Sequence, residues 1–148
     1  MKKQLKLTLL SCLLTVPAVT QAGPKDDIYH KDWIDFNKNG KKDIYEDPSA
    51  PIEARVKDLL SQMNMDEKTC QMATLYGSGR VLADALPTDK WKSEIWKDGI
   101  GNIDEEHNGL GKFGSEYAFP YTKHVKAKHD IQRWFVEETR LGIPVDFT

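Results

Sequence analysis

The chain has 148 residues, 30% of them charged and 39% hydrophobic, with a formal net charge of −2, a length that holds one small domain at most. Balanced charge without a Lys/Arg cluster excludes a protein that binds nucleic acid by neutralising phosphates. Four Trp, five Tyr and five Phe are more aromatic surface than a disordered chain carries.

Lys2, Lys3 and Lys6 precede an apolar run from Leu7 to Val19. That run is too short and too poorly flanked to span a membrane, it has no polar face, and Pro17 would break a helix. Thr20 and Ala22 put small residues three and one positions before a cleavage point. Residues 1–22 are therefore expected to be a secretory signal peptide cut after Ala22, leaving a secreted or periplasmic chain with no membrane association. Leu9-Leu10-Ser11-Cys12 is a loose lipoprotein signal, but the apolar run continues well past Cys12 and cleavage after Ala22 is favoured. Cys70 is then the only cysteine, so no internal disulfide is available.

Residues 23–51 are polar, bounded by Pro24, Pro48 and Pro51, and read as an extended arm with one organised loop. Asp35, Asn37, Asn39, Asp43 and Glu46 fall at positions 1, 3, 5, 9 and 12, with Gly40 at position 6, the spacing of an EF-hand-type calcium loop. Lys41 would add its backbone carbonyl, and Glu46 could bind with both oxygens. Lys42 stands where an aliphatic residue is usual, and Lys38, Lys41 and Lys42 dilute the charge. Two readings follow: a structural Ca2+ held by Asp35, Asn37, Asn39, Lys41, Asp43 and Glu46, or a hydrogen-bonded Asx-rich turn.

From Ile52 the pattern changes. Ile52, Val56, Leu59, Leu60 and Met63 lie three and four apart, one face of an amphipathic helix with Pro51 as its first residue. Asn64 followed by Glu67 is a capping-box pattern. It predicts a second helix running through Met65, Met72, Leu75 and Tyr76 to a stop at Gly77 and Gly79. Residues 86–98 predict a short helix with Trp91 and Ile95 one turn apart. Residues 100–104 alternate as a strand.

A glycine-rich loop over 107–116 contains Gly109-Leu110-Gly111-Lys112-Phe113-Gly114. A dinucleotide site would need these glycines to open a helix, with an acid ending the next strand. Pro120 separates them from the helix, and Glu137 and Glu138 lie inside it, so the segment reads as a flexible loop. Residues 122–141 predict a long helix with Val125, Ile131, Trp134 and Phe135 inward, closed by Gly142, and 144–147 a strand. Strand, helix, strand at this spacing is one crossover unit of a parallel sheet. Two parallel strands need neighbours and covering helices, so residues 52–148 read as the interrupted start of a larger α/β domain.

His30, His107, His124 and His129 show no metal-ligand spacing and read as surface or structural. Asp104, Glu105 and Glu106 follow the first strand, at the end that carries chemistry in parallel α/β proteins, yet an acidic run there is most simply a solvated loop. Trp134 falls in the core register. Trp33, Trp91 and Trp96 are left open between core and sugar stacking.

Several segments together resemble a known family. Asp35 to Pro48 (DFNKNGKKDIYEDP), Pro51 to Met63, Asn64 to Met72 (NMDEKTCQM), Gly99 to Asp104 (GIGNID) and above all Ile131 to Thr148 (IQRWFVEETRLGIPVDFT) are similar to the N-terminal region of family-3 glycoside hydrolases. The nearest likeness is to exported bacterial β-glucosidase-like and β-xylosidase-like members. The resemblance implies an incomplete (β/α)8 TIM-type barrel and a retaining hydrolase releasing terminal sugars from a β-linked oligosaccharide or glycoside, with no cofactor required for catalysis. It assigns no catalytic residue here, because the family's aspartate nucleophile and its acid/base carboxylate have no matching position up to Thr148. A barrel of this class takes about 250 residues, so the chain alone is expected to be unstable or molten and inactive. The alternative is a secreted, non-enzymatic calcium-binding module built on residues 35–46.

Overall fold

The computed structural model describes residues 25–76, 84–93, 97–104 and 114–148. The expected signal peptide, most of the glycine-rich loop, Ile95, Trp96, Glu105, Glu106 and His107 lie outside the described residues. Helices α1 (Ile52–Gln62), α2 (Met65–Gln71), α3 (Gly114–Tyr117) and α4 (Tyr121–Glu138) accompany strands β1 (Thr74–Tyr76), β2 (Asn102–Asp104) and β3 (Asp146–Phe147) in a small α/β domain. Among the described residues no helix is long and apolar enough to cross a membrane.

The strands form one parallel sheet in the order β1-β2-β3. Thr74, Leu75 and Tyr76 lie beside Asn102, Ile103 and Asp104, and Asn102 and Ile103 lie beside Asp146 and Phe147. Parallel neighbours need a crossover, and α4 supplies it between β2 and β3. Ala127, Ile131, Trp134 and Phe135 of α4 are buried, and their three- and four-residue spacing makes one stripe. Its Ile131, Trp134 and Phe135 pack with Ile103, Ile100, Val145 and Trp91, flanked by Leu75 and Phe147. Trp134 meets Trp91 and Phe135 edge-to-face, with ring centroids 5.5 and 5.2 Å apart, the arrangement that aromatic quadrupoles favour. Trp91 is therefore a core residue.

Several expectations need correction. The second helix does not run to Tyr76: it stops at Gln71, and residues 74–76 are β1. The Gly101 and Asn102 N–H groups donate to the Cys70 and Ala73 carbonyls at 3.0 and 3.3 Å, so strand pairing overrides the helical pattern. A Cβ on Gly101 would stand 2.2 Å from the Gln71 carbonyl oxygen; only glycine permits that approach. The 86–98 helix is reduced, among the described residues, to a 3₁₀ turn over Asp89–Ser93. Val125 is exposed, because six residues before Ile131 is not a helical repeat. Pro51 is the N-cap of α1 rather than its first residue.

The arm is not extended. Ile28 and Tyr45 are buried, and Tyr29 bridges Ile34 while its hydroxyl donates to Glu137 at 2.9 Å. The arm is also tied to α1, through Arg55 Nε to the Tyr45 carbonyl and the Tyr45 N–H to Asp58 Oδ2, both at 3.0 Å. In α1 itself no residue is buried; Ile52, Val56 and Leu60 are exposed.

Candidate functional site

Two places gather chemically capable side chains: the 35–46 loop and the polar face of the sheet. The loop is built by Asx turns. Asn37 Oδ1 accepts the Asn39 N–H at 3.2 Å, and Asn39 Oδ1 accepts the Lys41 N–H at 2.7 Å. Asp35 takes the Asn39 and Gly40 N–H groups on its two oxygens, at 3.1 and 2.7 Å. Gly40 sits at φ +75°, with open space around it, so conformation and not crowding calls for glycine there.

Glu46 closes the loop. One oxygen accepts the Phe36 and Asn37 N–H groups at 2.7 and 3.3 Å, and the other accepts the Asp43 N–H at 2.9 Å. The Nδ2 groups of Asn37 and Asn39 both donate to Asp43 Oδ2, at 2.6 and 2.7 Å. The structure thus brings Asp35, Asn37, Asn39, Asp43 and Glu46 together, with Lys41 entering through its N–H. These contacts form an Asx-rich turn, and they use the same side chains as the calcium reading; a carboxylate oxygen that accepts one N–H keeps a second lone pair. Among the described residues, no group of three or more His, Cys, Asp or Glu is placed to hold a metal ion.

Lys38, at φ +58°, carries the loop onto α4. Its Nζ donates to the Val136 and Thr139 carbonyls at 2.7 and 2.6 Å, satisfying groups that a helix end otherwise leaves open. Burial pushes the ammonium down to about 8, against the opposing pull of Asp35, Glu137 and Glu46. The lysine that dilutes the loop's charge in sequence is its tether in space. Burial also drives the Tyr45 phenol well above its ordinary value, with Glu46 adding to the effect.

Glu67 is buried and serves two partners. It accepts the Asn64 N–H at 2.9 Å in the capping box, and it takes Arg140 Nε at 2.8 Å together with Nη2. Burial would raise its carboxyl, but the Arg140 and Asn64 hydrogen bonds outweigh this and hold it below the usual range. Among the histidines, His30 stacks on Trp33 with centroids 4.1 Å apart, and His124 Nδ1 lies 3.1 Å from the Tyr117 carbonyl.

On the sheet, side chains alternate between faces. Leu75, Ile103 and Phe147 face α4. Thr74, Asn102 and Asp146 form one rung of the other face, and Tyr76, Asp104 and Thr148 the next. Asn102 Nδ2 donates to Thr148 Oγ1 at 3.0 Å, and that hydroxyl lies 3.4 Å from Asp104 Oδ1. In the sequence, Asp104 reads only as the start of an acidic run after a strand. The signal for the rest was the alternation in TLY, NID and DF. Comparison with known proteins gives no matching family model and no matching curated protein.

Proposed function

We propose that this chain is the opening part of an exported retaining β-glycosidase of the family-3 type, supplying the first strands of a (β/α)8 barrel that acts on terminal β-linked sugars. The observation that carries this reading, beside the resemblance in sequence, is the strand order. Three parallel strands lie side by side in chain order, each added on the same side, as winding in one direction around a barrel requires. The segment with the most specific resemblance, Ile131 to Thr148, is the end of α4 and β3.

Retaining hydrolysis needs two carboxyls about 5–5.5 Å apart, one as nucleophile and one as acid/base. Among the described residues, the buried carboxylates are otherwise employed: Asp35 and Glu46 hold backbone N–H groups, and Glu67 holds Arg140. No catalytic role is assigned to any of them. The apolar face of α1, with Ile52 72% and Val56 48% exposed, fits a helix that packs against more protein than these residues supply.

The test is to express the protein from its complete gene and assay aryl β-glucoside and β-xyloside hydrolysis. Turnover with retention at the anomeric carbon is expected. A protein that turns over neither substrate would overturn the proposal.

A further inference from the structure

Strands of parallel sheets are normally apolar on both faces, because helices cover both. This sheet departs from that rule. One face is closed by α4, while the other carries the rungs Thr74–Asn102–Asp146 and Tyr76–Asp104–Thr148, every one of them exposed or half-buried. An apolar layer laid on that face would strip water from Asp104 and Asp146 without pairing them, which is costly. The face therefore belongs against water or a polar ligand.

The geometry points to a sugar-binding subsite on this face, centred on Asp104 and Asn102, that takes the hydroxyl groups of a β-linked disaccharide. The inference rests on the barrel reading above, in which this face turns towards the lumen and the Tyr76–Asp104–Thr148 rung lies at its active end. The chemistry suits the ligand. A carboxylate accepts two neighbouring hydroxyls, an amide both donates and accepts, and the half-exposed Tyr76 ring offers a flat surface to a pyranose. Asn102, Asp104 and Thr148 already exchange hydrogen bonds at 3.0 to 3.4 Å, the sort of contacts a ligand hydroxyl can replace. Asp104 and Asn102 are positioned here to bind, not to react.

The experiment uses the protein expressed from its complete gene and the sulfur-linked disaccharide thiocellobiose, which is not hydrolysed, titrated by calorimetry. Asp104→Ala is expected to weaken binding about tenfold, the loss typical of a hydrogen bond to a charged group, and Asn102→Ala by a smaller factor. Lys126→Ala, on the outer side of α4, should leave it unchanged. If Asp104→Ala lowers the melting midpoint, Asp104→Asn keeps the shape and is expected to weaken binding about threefold through the lost charge. Binding within twofold of the parent in a folded Asp104→Asn, Asn102→Ala double variant overturns the inference, as does a parent that does not bind thiocellobiose. Hydrolysis of aryl β-glycosides by that same double-variant-insensitive protein would leave the glycosidase proposal standing while this one falls. Sugar binding through Asp104 without hydrolysis would do the reverse.

Discussion

Arg140 grips Glu67 with two parallel N–H···O bonds across 73 residues of chain, Nε to Oε1 at 2.8 Å and Nη2 to Oε2. The same guanidinium reaches the Gln62 carbonyl at 2.9 Å, so one side chain fastens the turn after α4 to the junction of α1 and α2. Glu67 is buried and Arg140 half exposed, which makes the loss of the cation costlier than the pair is worth intact. Arg140→Ala is expected to destabilise the protein by about 1–3 kcal/mol, read as a lower urea midpoint.

The sign of the acid dependence follows from the same pair. Glu67 titrates below its ordinary value when folded, so its contribution is present above the unfolded value and disappears as pH falls through the folded one. Arg140→Ala should flatten that part of the acid limb. An unchanged acid limb in the variant would remove Glu67 from the account of acid sensitivity.

Lys38 predicts a trend of the same sign at the alkaline side. Its folded value is about 8 against an ordinary 10.5, so between these values the unfolded chain holds more protons and stability rises with pH. Cys70 and Tyr45, both raised by burial, work against this above their unfolded values of 9.0 and 10.0, which leaves pH 8 to 9 as the clean window. Urea midpoints across that window should climb in the parent relative to Lys38→Met, which keeps the stem and loses the ammonium. Parallel curves would contradict the buried tether.

In the 35–46 loop, Asp35→Ala removes the acceptor of two backbone N–H groups at a buried position. A loss of about 2–3 kcal/mol is expected. Calcium separates the two readings of the loop: the Asx-rich turn alone expects a melting midpoint unmoved by calcium or a chelator, and a bound cation expects one that climbs by several degrees on adding calcium.

Much of the framework was legible in the sequence. The capping box at Asn64 and Glu67 needs only neighbours in the chain, and it forms as the pattern indicates. The α4 stripe at Ile131, Trp134 and Phe135 is likewise a periodicity of a single segment, and so are the strands expected at 100–104 and 144–147, which form over the shorter spans Asn102–Asp104 and Asp146–Phe147. What was not legible depended on distant partners. Leu75 and Tyr76 fit the end of a helix until the Ala73 carbonyl is claimed by Asn102. The role of Lys38 is set by α4 carbonyls about a hundred residues away. Calcium-loop spacing and an Asx-rich turn share the same residues, and no spacing along the chain separates them.

The most direct measurement is the thermal melt of residues 23–148 alone, followed by near-ultraviolet circular dichroism of the Trp91–Trp134–Phe135 cluster. If these residues are the first part of a barrel whose remaining strands complete the core, the signal should be weak and fade over a broad range. A single sharp transition from a well-ordered aromatic signal would contradict that claim.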